Sequence, residues 1–247
     1  MVTASTLPPP PALTPAGHCL LLDFDGTLVD LVDRPDAVEV DDALIALLDR
    51  LLGTFDGRLA LVSGRSVAQI EGFLGEATRG IAVVGSHGAE LQLSDKRITP
   101  DRPGALDIAE QAFAAAFAGE PGVLIEVKSL GVAVHYRMAP ECGLTAHRLA
   151  EQYVGRDGLV LQSGKMMVEL RAGGYDKGSG ISALLAQPAF ANHVPIFVGD
   201  DVTDEAGFAA VARMNGVGVL VGPMRDTAAS YRLRDVAAVR AWLEAAA

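Results

Sequence analysis

Cysteine is scarce: the 247 residues contain two, Cys19 and Cys142. They lie far apart without metal-ligand spacing, so neither a thiolate metal site nor a disulfide framework is indicated, and both read as ordinary reduced thiols. Positive charge is also short. Twenty Lys and Arg face 31 Asp and Glu, a formal net charge of −11. Binding nucleic acid through its phosphates needs clustered Lys and Arg, so no nucleic-acid partner is expected and a small molecule is favoured. No apolar run of about 18 residues occurs, so no membrane-spanning helix is predicted. The opening MVTASTLPPPPALTPAG lacks the basic start and apolar centre of a signal peptide. A cytoplasmic location is the expectation, with no membrane and no obligate protein partner. The pattern G-x-x-x-x-G-K-S/T is missing, which argues against a P-loop kinase or nucleotidase.

What is there suffices for a sizeable core, since half of the residues are hydrophobic, and a disordered chain is excluded. Four consecutive prolines predict a stiff, extended and poorly ordered arm over residues 1–18. From Cys19 onward, short β-rich runs alternate with longer helical ones. HCLLLDF, RLALVSG and GIAVVGS read as strands. DDALIALLDRLLGTF and SVAQIEGFLG read as helices, the second capped by Ser66. Further on, KGSGISALLAQ is helical, VPIFVGD a strand, TDEAGFAAVAR a helix and GVGVLVG a strand. Strand followed repeatedly by helix implies a parallel sheet covered on both faces, an α/β fold.

The middle breaks this rhythm. ALDIAEQAFAAAFAG predicts a helix, followed by VLIEVKS and VAVHYRM as a hairpin turning at Leu130-Gly131. LTAHRLAEQYVG is a second helix, followed by GLVLQ and KMMVELR, broken at Ser163-Gly164. Helix, two strands, helix, two strands predicts an α+β module inserted at residues 99–172, between core segments 19–98 and 173–247, with RAGGYDKG as a hinge. A two-residue turn at Leu130-Gly131 pairs Lys128 with Ala133 and Glu126 with His135. Glu126, Lys128, His135 and Arg137 then share one sheet face, and Lys165, Met167, Glu169 and Arg171 alternate likewise along their strand.

The polar residues collect at strand ends, where ligands bind in open parallel sheets. LLLDFDGT delivers Asp23 and Asp25, LVSGRS delivers Ser63 and Arg65, and VPIFVGDDVTDE delivers Asp200, Asp201 and Asp204. Lys177 opens a helix between these blocks. Singly, each has a plain structural use, as turn, cap or solvated charge. Their ordered conjunction carries the signal. Carboxylates gathered without His or Cys suit a hard cation with oxygen ligands, most naturally Mg2+. A carboxylate can also act as a nucleophile and form an aspartyl-phosphate, and glycine-turn amides, the Ser63 hydroxyl and the Lys177 ammonium can balance phosphoryl oxygens. The arrangement predicts phosphoryl transfer.

DFDGTL, the Ser of LVSGRS, the Lys of YDKG and GDDVTDE resemble motifs one to four of haloacid dehalogenase (HAD) superfamily phosphatases, and the inserted module resembles their C2-type cap. GDDVTDEAGF, SGRS, GSHGAE and KMMVEL followed by DKG are similar to the trehalose 6-phosphate phosphatase family over residues 19–245, with Ser86 standing where an apolar residue is expected. The resemblance implies Asp23 as nucleophile and Asp25 as acid and base. It implies Mg2+ on Asp23, Asp200 and the Asp25 carbonyl, with Asp204 positioning the metal site and Asp201 behind it. Ser63 and Lys177 would hold the phosphoryl group. Sugar contacts are carried onto Glu126, Lys128, Lys165 and Glu169, with Arg65 and His87 at the core edge. The expected reaction is hydrolysis of trehalose 6-phosphate. A sucrose phosphate or mannosyl phosphoglycerate phosphatase is the alternative, and a silent regulatory domain a third, disfavoured by the presence of Asp23, Asp25, Lys177 and Asp200.

Overall fold

Successive residues of an extended strand point to opposite faces, so HCLLL is buried whole only where both faces of its sheet are covered. The computed structural model describes residues 7–32, 37–94 and 96–247. Along the chain run β1 (His18–Leu22), α1 (Asp42–Thr54), β2 (Leu59–Val62), α2 (Val67–Leu74), β3 (Ala82–Gly85), β4 (Glu90–Gln92) and β5 (Arg97–Ile98). Then come α3 (Gly104–Ala116), β6 (Leu124–Lys128), β7 (Gly131–His135), α4 (Gly143–Glu151), β8 (Leu159–Gly164) and β9 (Met167–Ala172). The last part holds α5 (Lys177–Leu185), β10 (Val194–Gly199), α6 (Glu205–Arg213), β11 (Val217–Val221), β12 (Tyr231–Leu233) and α7 (Val236–Glu244).

One sheet has eight strands in the order β12-β11-β10-β1-β2-β3-β4-β5. It is parallel from β12 to β3, and β4 and β5 extend it antiparallel. The two faces divide the residues of β1 between them. Leu20 and Leu22 pack with Leu44, Leu48 and Leu51 of α1, Ile70 of α2 and Val239 of α7. Cys19 and Leu21 pack with Ile181 and Leu184 of α5 and Phe208 and Val211 of α6. The helices start where polar caps allow: Asp41 accepts from the Leu44 amide at 2.7 Å, and Ser66 closes a reciprocal capping box with Gln69. Short β4, β5 and β12 give too few residues for a readable alternation. Helix α7, VAAVRAWLE capped by Asp235, completes the layer.

The described part of the arm corrects the expectation of poor order; its first six residues lie outside the described ones. The Pro8 carbonyl accepts from the Arg232 amide at 2.9 Å and the Pro11 carbonyl from Trp242 Nε1 at 2.8 Å. Leu7 and Leu13 pack against the two core layers. Proline removes donors but keeps its carbonyl, so at Pro8 and Pro11 the backbone is tied down through acceptors.

Contacts divide the chain into one unit up to Thr99 with Asp176–Ala247, and a second of Pro100–Tyr175. The second unit ends beyond residue 172 because Arg171 Nη1 donates to the carbonyls of Ala172 and Tyr175 and the Gly173 amide donates to Gly158. Its antiparallel sheet runs β6-β7-β9-β8, with Val132, Val134, Val168 and Leu170 against Leu106 and Phe113 of α3 and Ala146 and Ala150 of α4. The first hairpin turns at Ser129-Leu130, not Leu130-Gly131: Lys128 faces Gly131 and Glu126 faces Ala133. Leu130 is buried, and a Cβ on Gly131 would stand 2.7 Å from Glu169 Oε1, so this glycine serves a close crossing instead of a turn. The shift is by two partners, which leaves the facing of side chains intact. The second hairpin is also displaced. Ser163 and Gly164 belong to β8, and Lys165 with Met166 (φ 62°) makes the turn.

Candidate active site

Parallel pairing sets Leu22 beside Val198, and the Asp23 amide donates to the Val198 carbonyl at 2.9 Å. β1 and β10 therefore leave the sheet side by side, at the strand where the chain order reverses. Asp23 directly follows β1, Asp200 directly follows β10, and Asp204 lies in the next helical turn. Their carboxylates offer oxygens within 4.8 Å of one another. Gly26 (φ 76°) makes the approach possible, because a Cβ there would stand 2.2 Å from Asp200 Oδ2.

Lys177, at the first turn of α5, reaches into this cluster. Its Nζ donates to Asp23 Oδ1 at 2.7 Å and Asp204 Oδ1 at 2.6 Å, with all three side chains buried. Burial opposes the lysine charge, but the two carboxylates outweigh it and hold the ammonium above the usual lysine range. Asp23 is pushed well above the usual carboxylate range, first by burial and then by Asp204 and Asp200, against the pull of Lys177. Asp200 is pushed up to about 6, first by burial and then by Asp204. With all three carboxylates ionised, one ammonium would leave two negative charges uncompensated. All the donors are hard oxygens, so the set fits a divalent cation.

Asp25 turns elsewhere. Arg65 Nε donates to its Oδ2 and Arg65 Nη2 to its Oδ1, each at 2.7 Å. Ser63, buried at the end of β2, accepts from the Arg65 amide at 3.1 Å through Oγ, and its own amide donates to Val84. His87 is buried in the left-handed region (φ 55°) directly after Ser86 (φ 48°), and its ring lies over Gly64. Asp201 Oδ1 accepts from the Val202 amide, and the Asp201 amide donates to Asp204 Oδ2 at 2.9 Å. Asp204 thus has one oxygen on Lys177 and the other on the loop.

Two residues that sequence reasoning missed hold that loop. Arg225 Nη2 donates to the carbonyls of Asp201 at 2.6 Å and Asp200 at 3.4 Å, while its Nη1 pairs with Glu205. The other Glu205 oxygen accepts from the Ala228 amide at 2.7 Å. Nothing in GPMRDT marks Arg225 apart from any arginine in a turn.

In the second unit, Lys128 Nζ donates to the buried Glu169 at 2.9 Å, and His135 Nε2 lies 2.9 Å from Glu126 Oε2. These four share the sheet face opposite the helices. Lys165 does not join them. It is exposed in the hairpin turn, because the turn falls two residues later than its sequence suggests. Cys19 is no alternative nucleophile: burial, only partly opposed by Arg58, pushes its thiol up to about 12. Among the described residues, no helix is long and apolar enough to cross a membrane.

Comparison with known proteins bears on this arrangement. A family model described as trehalose-phosphatase matches residues 21–237. A probable trehalose-phosphate phosphatase of Sinorhizobium fredii is 42% identical over 207 residues, 83% of this chain and 77% of that one. Trehalose-6-phosphate phosphatase of Escherichia coli is 37% identical over 233 residues, 93% of this chain and 86% of that one. The crystal structure of a trehalose-6-phosphate phosphatase related protein superposes with a TM-score of 0.73 at 28% identity, covering 92% of this chain and 95% of that chain.

Proposed function

The chain belongs to the trehalose-phosphatase family, and we propose that it hydrolyses trehalose 6-phosphate to trehalose and phosphate through an aspartyl-phosphate on Asp23, with Mg2+ as the cation. One observation carries the mechanism: a cluster of the carboxylates Asp23, Asp200 and Asp204 at the carboxyl ends of β1 and β10, in which the ammonium of Lys177 binds Asp23 and Asp204. Lys177 fixes Asp23 through Oδ1. The Thr27 hydroxyl stands 3.4 Å from Oδ2, which is the oxygen left to attack.

In the first step the Asp23 carboxylate bonds to phosphorus in line with the sugar oxygen. The phosphorus–sugar bond breaks, and a proton passes from Asp25 to the departing oxygen. In the second step water attacks the aspartyl-phosphate and gives its proton to Asp25, releasing phosphate and restoring Asp23. Ser63 and Lys177 hold the phosphoryl oxygens, whose charge the enzyme must balance throughout. Asp23, Asp200 and the Asp25 carbonyl would hold Mg2+, with Asp204 anchoring the loop; the ion supplies the positive charge that the cluster lacks and screens the phosphoryl group from the nucleophile. The mixed donors and acceptors of Glu126, Lys128 and Glu169 suit sugar hydroxyls, and His87 and Arg65 flank the phosphate site. The two free thiols fit a cytoplasmic enzyme acting on a sugar phosphate.

Phosphate release from a panel of phosphorylated disaccharides and monosaccharides, with and without Mg2+, tests the reading. Trehalose 6-phosphate is expected to be hydrolysed fastest, and Asp23→Asn to abolish release while leaving thermal unfolding cooperative. Near-normal release by Asp23→Asn would remove Asp23 as nucleophile. Equal rates across the panel would remove the sugar specificity and leave the reaction.

A further inference from the structure

The contacts of Arg65 point away from a role as a sugar ligand. Its two donors engage both oxygens of Asp25, each at 2.7 Å. Such a fork fixes the plane of a carboxylate as well as its position. The guanidinium is itself held, with its carbon 4.8 Å from the centroid of the Phe73 ring. Phe73 in turn stacks on Phe24 at 6.0 Å between centroids, and Phe24 is the residue between the two aspartates of β1's end. The Arg65 amide donates to Ser63 Oγ at 3.1 Å, and its carbonyl accepts from the Ser86 amide at 2.7 Å. Only 12% of the arginine side chain is exposed, against 27% for Asp25.

Asp25 needs such support. It sits where β1 has ended, on a turn closed by the Gly26 amide donating to Val29 and by a single bridge between Asp25 and Val29. Left to itself, a partly exposed carboxylate on a turn samples several rotamers. A misplacement of about 1 Å can cost about 100-fold in rate.

We infer that Arg65 is a positioning residue for the reaction: it holds the Asp25 carboxylate in the plane from which it passes a proton to the departing sugar oxygen, instead of gripping the sugar. The inference rests on the reading of Asp25 as proton donor. During the first step one carboxyl oxygen carries the proton to be transferred while the other stays on the guanidinium. After the transfer both oxygens return to the fork, and in the second step one of them leaves it to take the proton of the attacking water. The stack on Phe73 keeps the arginine in place through both.

The test compares two esters whose leaving groups differ in their need for a proton. Trehalose 6-phosphate releases an alkoxide that must be protonated, whereas p-nitrophenyl phosphate releases a stable anion. Rapid-mixing measurements of the first turnover isolate phosphoryl transfer to the enzyme. Arg65→Gln is expected to slow it about 10- to 100-fold for the sugar ester, part of the roughly 10²–10⁴ that general acid–base catalysis supplies. The loss on the nitrophenyl ester is expected to be about tenfold smaller or less, with KM for the sugar ester changed by less than about threefold. Arg65→Lys, which keeps the charge and loses the fork, is expected to fall between, and serves if Arg65→Gln folds poorly. Equal losses on both esters, or a loss confined to KM for the sugar ester, would overturn the inference. Asp25→Asn separates the two levels. If it shows the leaving-group preference and both Arg65 variants do not, only the role of Arg65 fails; if it shows none, the assignment of Asp25 fails first.

Discussion

Lys177→Met removes the one cation that the cluster contains and leaves its anions in place. The ammonium lies 2.7 Å from Asp23 and 2.6 Å from Asp204, and the three side chains are 4%, 5% and 0% exposed. At an effective dielectric of about 20, each contact is worth about 6 kcal/mol of attraction, against a desolvation cost of several kcal/mol per ion. The net value of the intact triad is therefore small. Removing the cation alone is different, because two buried carboxylates then face each other with their desolvation uncompensated. The expected cost is about 3–5 kcal/mol, or roughly 6–20 °C in Tm for a chain of this size. Protonation of a carboxylate would relieve part of it, so the loss should grow as pH rises. Chemical and thermal unfolding of metal-depleted Lys177→Met measure it directly. Replacing Asp204 as well, in Lys177→Met with Asp204→Leu, should cost less than the sum of the single changes, because the second change removes a stranded charge. Divalent cation should stabilise Lys177→Met more than the natural protein, since it meets more uncompensated charge. A Lys177→Met protein within about 1 kcal/mol of the natural one, with additive double-variant effects, would refute the account of the cluster as charge held in check by this lysine.

Two further outcomes are expected. Without a bound cation, burial and then Asp204 push Asp200 up to about 6, above its unfolded value. The folded state then holds more protons than the unfolded one between about pH 4 and 6. Stability should accordingly fall as pH rises through that window, by roughly 2–3 kcal/mol from this group. Mg2+ binds the ionised form, so the rise in Tm that it confers should vanish as pH is lowered below 6; a Mg2+-induced rise that is undiminished at pH 5 would count against Asp200 as a ligand. Arg225→Ala frees the Asp200 and Asp201 carbonyls, and the Mg2+ concentration for half-maximal activity and for half-maximal thermal stabilisation should rise together by about 10-fold or more. A drop in saturated activity with metal affinity unchanged would place Arg225 outside the support of the loop.

Local chemistry accounts for what could be read without coordinates. A run such as CLLL must be covered on both sides, Ser66 and Asp41 cap the helices that follow them, and the strand–helix alternation dictates a parallel sheet with its carboxylates at one edge. The members of the carboxylate cluster and Lys177 were legible for the same reason, since each follows a strand or opens a helix. The turn positions of the two hairpins were not, because their registers depend on partners remote in sequence. Gly131 looks like a turn glycine until Glu169 is seen crossing it, and the pairing of Lys128 with Gly131 sets the turn one residue earlier.

The sequence by itself determined the layers of the core and the kinds of group at its edge, because periodicity, capping and charge act over a few residues. Only the tertiary structure decided who meets whom. It brings Lys177 across 154 residues to Asp23, turns Arg65 onto Asp25 across 40, and sets Arg225 on the carbonyls of Asp200 and Asp201. Such pairings follow from strand order and register, which many distant apolar contacts settle together and no single motif contains.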